Sequence, residues 1–300
     1  MIYPILPLQL NLYGILIAVG ILVGTLLCIR EEKLRQLPKD LGVDIILYAV
    51  PLAVIFSRIY YVIFAWDQFR DNPVSALYIW EGGLAIYGGI IGGVLGLWLL
   101  SKRRRQPMPL LTDIAVPSLL LGQAIGRWGN YFNGEAHGNL VQNAAYQFFP
   151  AAVQINQQWF YATFFYESVW NFVGFMFLYL NRKRFVKQGG NGDLTLWYLL
   201  WYGLGRMVIE MLRTDSLMLG SMRVSQGLSI LLVLAAAALL GKRRQMKAFH
   251  YAFLAVGIIL SIFAATQENF LLLVGGALLI AVYSVILYRT YRKIDATSRI

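Results

Sequence analysis

The chain has 300 residues, of which 58% are hydrophobic and only 14% charged, with a mean hydropathy of +0.59. Soluble domains carry about 25% charged residues, so this composition excludes an ordinary soluble protein and points to helices in lipid. The net charge of +11 would fit a nucleic-acid binder, but its distribution along the chain excludes that partner.

Apolar stretches of the roughly 20 residues that a helical crossing needs recur throughout. Nine are predicted, at about 11–29, 43–65, 83–101, 109–126, 160–181, 194–213, 225–241, 249–266 and 270–288. The fold class is therefore an all-α polytopic membrane protein with about nine transmembrane helices. Residues Met1 to Pro4 show no basic region, and the first run lacks a small-residue cleavage site, so it is expected to remain as a spanning helix.

Basic residues follow every second span in groups of four: Arg30 to Lys39, Lys102 to Arg105, Arg182 to Lys187, Lys242 to Lys247, and Arg289 to Arg299. These groups hold 20 of the 26 lysines and arginines. Positive loops stay cytoplasmic, which puts the N-terminus outside and the C-terminus inside. The basic excess thus reads as an orientation signal, with attraction to anionic membrane lipid.

Arg58 and Arg206 fall inside spans, and Arg127 and Arg213 at the outer ends of spans. An arginine at a helix centre costs at least about 2.5–3.5 kcal/mol on insertion scales. Each is expected to face a polar cavity or an acidic partner.

Taken in chain order, Tyr13-Gly14 in the first span is unremarkable alone. The third span opens on Glu81-Gly82-Gly83 and continues through Tyr87-Gly88-Gly89, with Gly88, Gly92 and Gly96 every fourth residue. From Gly92 onward that spacing serves close helix packing, while Tyr87 is placed to face a cavity. The densest polar run is Gly126-Arg127-Trp128-Gly129-Asn130-Tyr131-Phe132-Asn133-Gly134-Glu135. Arg127 offers a planar fork suited to phosphate or carboxylate, and Glu135 is placed to hold it. The same run also fits an interfacial loop with Trp128 and Tyr131 as belt anchors. Residues 127–159 are expected to form a small cap on the outer surface.

Glu167, in the fifth span, is an intramembrane carboxylate for which Arg58 and Arg127 are both candidate partners. Tyr202, Arg206 and Glu210 are spaced i, i+4, i+8 in the sixth span, a polar stripe about 12 Å long. It is either a self-satisfied ion pair or part of an anion site. Arg213 and Asp215 extend the stripe outward, toward the side of Arg127.

Other chemistries are excluded. The only histidines are His137, outside, and His250, at the inner face, so no two-histidine zinc site is expected. Cys28 is the single cysteine, which rules out an internal disulfide. Neither Gly-x-Ser-x-Gly nor a Walker-type phosphate loop is present. No metal or other cofactor is expected.

The run Gly126-Arg127-x-Gly129-Asn130-x-x-Asn133-x-Glu135 resembles the signature of the bacterial phosphatidylglycerol–prolipoprotein diacylglyceryl transferases. The other motifs agree in order: Tyr13-Gly14, Gly82-Gly83 to Tyr87-Gly88-Gly89, Tyr166-Glu167-Ser168, then Tyr202-Gly203-x-x-Arg206-x-x-x-Glu210-x-x-Arg213. The likeness covers roughly residues 8–240. It implies an enzyme of the bacterial plasma (inner) membrane, in which a prolipoprotein's lipobox cysteine attacks phosphatidylglycerol and glycerol phosphate leaves. Arg127 and Arg206 would then neutralise the departing phosphate. Asn130, Glu135, Tyr202 and Glu210 would orient the arginines and the lipid, with Tyr13, Asn133, Glu167 and Arg213 completing the binding set. Tyr87 stands where many members carry histidine; its ordinary pKa near 10 suits a hydrogen bond to lipid better than a general base. The chain divides on this reading into a transferase core, 1–241, and an added hairpin with a basic tail, 242–300, beyond the seven spans usual in the family. A competing reading is a non-catalytic carrier or flippase for anionic lipid. No internal repeat of the kind transporters show supports it.

Overall fold

A computed structural model describes residues 2–4, 9–135, 137–214 and 216–297. Asp215 lies outside the described residues. Among them are nine α-helices: α1 (Leu12–Leu34), α2 (Leu41–Phe64), α3 (Ile86–Arg104), α4 (Met108–Asn133), α5 (Thr163–Gly189), α6 (Asp193–Ile209), α7 (Val224–Arg243), α8 (Tyr251–Thr266) and α9 (Phe270–Thr297). Three antiparallel two-stranded hairpins accompany them, β1–β2 (Ile2–Pro4, Gln9–Asn11), β3–β4 (Ala152–Ile155, Gln158–Tyr161) and β5–β6 (Met218–Leu219, Met222–Arg223).

Six of the described helical segments are long and apolar enough to cross a membrane. The segments built on α3, α5 and α6 are not among them. Glycines dilute α3, charged and aromatic residues lower the hydropathy of α5, and α6 has only 17 residues. The polytopic character stands on the six. Surface chemistry agrees, because Leu22, Leu47, Ile63, Ile259 and Leu271 are exposed while Glu167, Asn171, Asp193 and Gln226 are buried. That inversion suits a lipid surround and would be an aggregation hazard in water.

The chain divides into two compact units, Val23–Ser118 and Met1–Leu22 with Leu119–Ile300. In the first unit α2 and α3 approach through glycine. A Cβ added at Gly88, Gly92 or Gly96 would fall 2.1–2.3 Å from the carbonyls of Phe56, Leu52 and Tyr48. The four-residue spacing therefore packs helices from Gly88 onward, one turn earlier than expected. Arg58 on α2 is buried, and its partners among the described residues are backbone carbonyls rather than the cavity or acid expected for it. Its Nε donates to Ala76 O at 2.8 Å, Nη2 to Ser75 O at 2.8 Å, and Nη1 to Gly82 O at 2.7 Å and Gly83 O at 3.2 Å. Gly83 takes a φ of +66°, and a side chain there would collide with that guanidinium.

In the second unit α6 packs on α5 and α7, with Gly203 seated against Val233 and Ser229. The α8–α9 hairpin closes on itself through Gly257 and Gly276 and is pinned to its neighbours by tyrosines of α9. Tyr283 donates to Ala237 O at 3.0 Å, and Tyr288 to Asn181 Oδ1 at 2.6 Å. Tyr291 donates to the fully buried Asp193, whose other oxygen accepts from Arg243 at 2.6 Å. The cap differs from expectation at its start, because α4 continues helical through Asn133. Beyond it, Gly138 N donates to Tyr161 O at 2.9 Å, Asn139 N to Leu212 O at 2.8 Å and Val141 N to Trp159 O at 2.7 Å. Val153, Ala162 and Phe164 form the small apolar core of this cap against Trp128.

Candidate functional site

Three helices of the second unit bring charge to one place. Arg127 comes from the last two turns of α4, Glu167 from the second turn of α5, and Arg206 from the last turn of α6. A 3-10 turn continues α6 through Glu210 to Leu212, and Arg213 follows it. The side chain of Glu167 is 5% exposed, and it is the hub. Its Oε2 pairs with Arg127 Nη2, and its Oε1 with Arg206 Nη1 at 2.6 Å and Arg213 Nη1 at 3.3 Å.

Glu210 is the second hub. Its Oε2 lies 2.6 Å from Arg206 Nη2 and 3.9 Å from Arg213 Nε. Its Oε1 accepts a hydrogen bond from Ser216 Oγ at 2.8 Å and another from Ser225 Oγ. Among the described residues, three guanidiniums thus meet two carboxylates in one buried cluster. Planar guanidinium forks that hold carboxylate oxygens in this way have the geometry to hold phosphate oxygens as well. Arg127 and Arg206 are the cluster's more open arginines, at 18% and 15% side-chain exposure against 9% for Arg213. A narrow recess lined by Tyr202, Gly205, Arg206, Glu167 and Asn171 reaches the cluster.

Most of the predicted residues therefore converge: Arg127, Glu167, Tyr202, Arg206, Glu210 and Arg213. Asn130 stands beside them, accepting from Arg127 Nη1 at 3.5 Å. Tyr13 packs flat against the signature, where a Cβ on Gly129 would meet its ring at 2.4 Å. Glu135 does not hold Arg127, contrary to expectation. It is exposed and accepts from Asn133 Nδ2 at 3.0 Å, because the polypeptide leaves the helix at Gly134 and carries both side chains away. Nor does Arg58 pair with Glu167; backbone carbonyls occupy it. Tyr87 belongs to the other unit, where its ring lies 6.2 Å from that of Tyr60.

Ser216 and Ser225 are the residues that sequence reasoning missed. Ser216, in the segment before β5, and Ser225, in the first turn of α7, carry no motif, and the fold brings both to Glu210. His137 stacks on Phe160 with ring centroids 4.3 Å apart, within the cap. Among the described residues no group of three or more His, Cys, Asp or Glu side chains gathers to hold a metal.

Comparison with known proteins bears on this site. The sequence profile of the family described as prolipoprotein diacylglyceryl transferase matches residues 1–241. A phosphatidylglycerol–prolipoprotein diacylglyceryl transferase of Halalkalibacterium halodurans is 44% identical over 245 residues, covering 79% of this chain and 84% of the relative. Similarly named proteins of Bacillus licheniformis and Bacillus cereus are 46% and 45% identical, each over about 80% of this chain and 90% of their own length.

Proposed function

This chain belongs to the prolipoprotein diacylglyceryl transferase family, and on that premise we infer that it is a phosphatidylglycerol–prolipoprotein diacylglyceryl transferase. It moves the diacylglyceryl group of phosphatidylglycerol onto prolipoproteins. The observation that carries the residue assignment is the sharing of Glu167 by Arg127 and Arg206, which reach it from separate helices.

In our reading the acceptor is the lipobox cysteine thiol of a prolipoprotein signal peptide. Its sulfur forms a bond to the terminal glyceryl carbon of the diacylglycerol moiety, and the bond from that carbon to the phosphate oxygen breaks. The electron pair leaves with glycerol phosphate, and the thiol proton passes to phosphate or solvent. The phosphate gains negative charge as the bond opens, and preorganised guanidiniums stabilise that development. Arg127 and Arg206 grip the phosphate in place of the carboxylate oxygens they hold at rest. Glu167 and Glu210 keep the forks aimed until lipid enters, while Arg213 balances both carboxylates. Tyr202 and Asn130 line the approach, Tyr13, Asn133 and Glu135 act on the lipid from the cap side, and Tyr87 hydrogen-bonds the lipid.

The alternating basic loops support nine crossings, an external N-terminus, a cytoplasmic C-terminus and residence in the bacterial plasma membrane. The match of the family profile to residues 1–241 supports a transferase core there, followed by an added hairpin with a basic tail, 242–300. The direct test incubates purified protein with phosphatidylglycerol vesicles and a lipobox peptide, and reads both products by mass. Glycerol phosphate and peptide heavier by one diacylglyceryl group are expected. Folded protein that moves lipid between leaflets without either product would return the carrier reading.

A further inference from the structure

Helices α5 and α6 carry the same short pattern, Trp-x-x-x-Gly, as Trp170 to Gly174 and Trp201 to Gly205. Each tryptophan sits on the other helix's glycine, as antiparallel neighbours with matched register require. A Cβ at Gly174 would fall 2.4 Å from Trp201 Nε1, and one at Gly205 2.1 Å from Trp170 Nε1. The two indoles stack, with centroids 4.7 Å apart and planes at 26°. Trp170 Nε1 donates to the carbonyl of Trp201, and Trp201 Nε1 to the carbonyl of Trp170, both at 3.0 Å.

This reciprocal clasp lies at the level of the ion cluster. Glu167 is one turn before Trp170, Arg206 directly follows Gly205, and Trp170 shares the recess with both charged groups. Two N–H to carbonyl bonds running in opposite directions resist sliding of one helix along the other either way. Each glycine provides the space that the opposing indole occupies at this depth. A slip of one residue would be about 1.5 Å, enough to break the 2.6 Å contact of Arg206 with Glu167.

The need for such a device follows from the proposed chemistry. When a lipid phosphate takes Arg206 from Glu167, the ion pair linking α5 to α6 at this level is surrendered. A clasp made of uncharged groups is untouched by that exchange. We propose that Trp170 and Trp201 are positioning residues, which hold Glu167 and Arg206 in register while phosphate enters and leaves. The proposal rests on the transferase reading for its purpose, though its geometry stands without it.

The experiment measures three quantities on the full chain in nanodiscs: the tryptophan exciton couplet in circular dichroism, turnover per folded molecule, and retention of phosphatidylglycerol against phosphatidylcholine by native mass spectrometry. Wild type should show the couplet. Trp170→Phe and Trp201→Phe each leave an aromatic ring and one of the two hydrogen bonds; each should lose the couplet. Turnover should fall by roughly ten- to a hundred-fold, the scale of a misplacement of about 1 Å, and the preference for phosphatidylglycerol over phosphatidylcholine in retention should fall with it. Wild type without a couplet overturns the proposal. So do variants that lose the couplet yet keep kcat within twofold, and so does failure of both variants to fold, which would make the clasp a folding element only. Wild type with the couplet, no turnover and normal lipid retention would sink the transferase reading instead. Retention would then decide the clasp: it stands if both variants lose phosphatidylglycerol preference and falls if they keep it.

Discussion

Two buried arginine sites, one in each unit, solve the same electrostatic problem in opposite ways. Arg58 spends its fork on four backbone carbonyls, with the faces of Phe69 and Tyr61 at 5.1 and 5.9 Å from its guanidinium carbon. Arg127, Arg206 and Arg213 share the carboxylates of Glu167 and Glu210 instead. Backbone carbonyls belong to the fold and cannot swing aside for a ligand without unravelling the loop they stand on. Carboxylate side chains turn about single bonds, and the oxygens they offer have the charge and spacing of a phosphate. Arg58 is therefore a staple for the segment 75–83, whereas the cluster, on the proposed reading, is a site held ready by substitute anions.

The comparison is broken or sharpened most strongly by replacing guanidinium with ammonium. Arg206→Lys keeps the charge and loses the fork, and glycerol phosphate release per folded molecule should fall by about 10²–10³-fold, the scale of one lost donor to a developing oxyanion. Arg58→Lys should leave turnover per folded molecule within tenfold; equal losses at the two positions would erase the distinction. Glu167→Gln removes the hub that gathers three guanidiniums. It should lower stability by about 3–5 kcal/mol, the range for breaking a buried ion pair, read as a lower midpoint of thermal unfolding. Tyr291→Phe leaves one oxygen of buried Asp193 without its hydroxyl partner. A loss of about 1–3 kcal/mol is expected there, with turnover per folded molecule unchanged. The smallest effect belongs to His137→Gln, which should change kcat less than threefold because that ring packs within the cap.

The helices and the cluster differ in how far the sequence reveals them. Apolar runs and alternating basic loops mark the helices, because lipid enforces length and hydropathy on every crossing. The convergence of Arg206 and Glu210 is legible too, since i, i+4 spacing places them on one helix face. Which carboxylate holds Arg127 is not legible. Glu135 is eight residues away and Glu167 forty, and the turn at Gly134 and the packing of α4 on α5, tied through Ser168 to Trp128 and Ala124, decide for the distant one. Arg58 misleads for a related reason: sequence shows a charge without an acid, while its partners are carbonyls that no residue type announces. Ser225 and the tryptophan clasp are results of tertiary packing, and Ser216 reaches Glu210 through an irregular segment; none leaves a local pattern strong enough to read.

The central claim is that two guanidiniums exchange a shared carboxylate for a lipid phosphate, and the most direct test is a structure of the protein with phosphatidylglycerol bound. The expected result places a phosphate oxygen within about 2.7–2.9 Å of a guanidinium nitrogen from each of Arg127 and Arg206, with at least one of their contacts to Glu167 opened. A phosphate bound elsewhere, with both arginines still closed on Glu167, would contradict it.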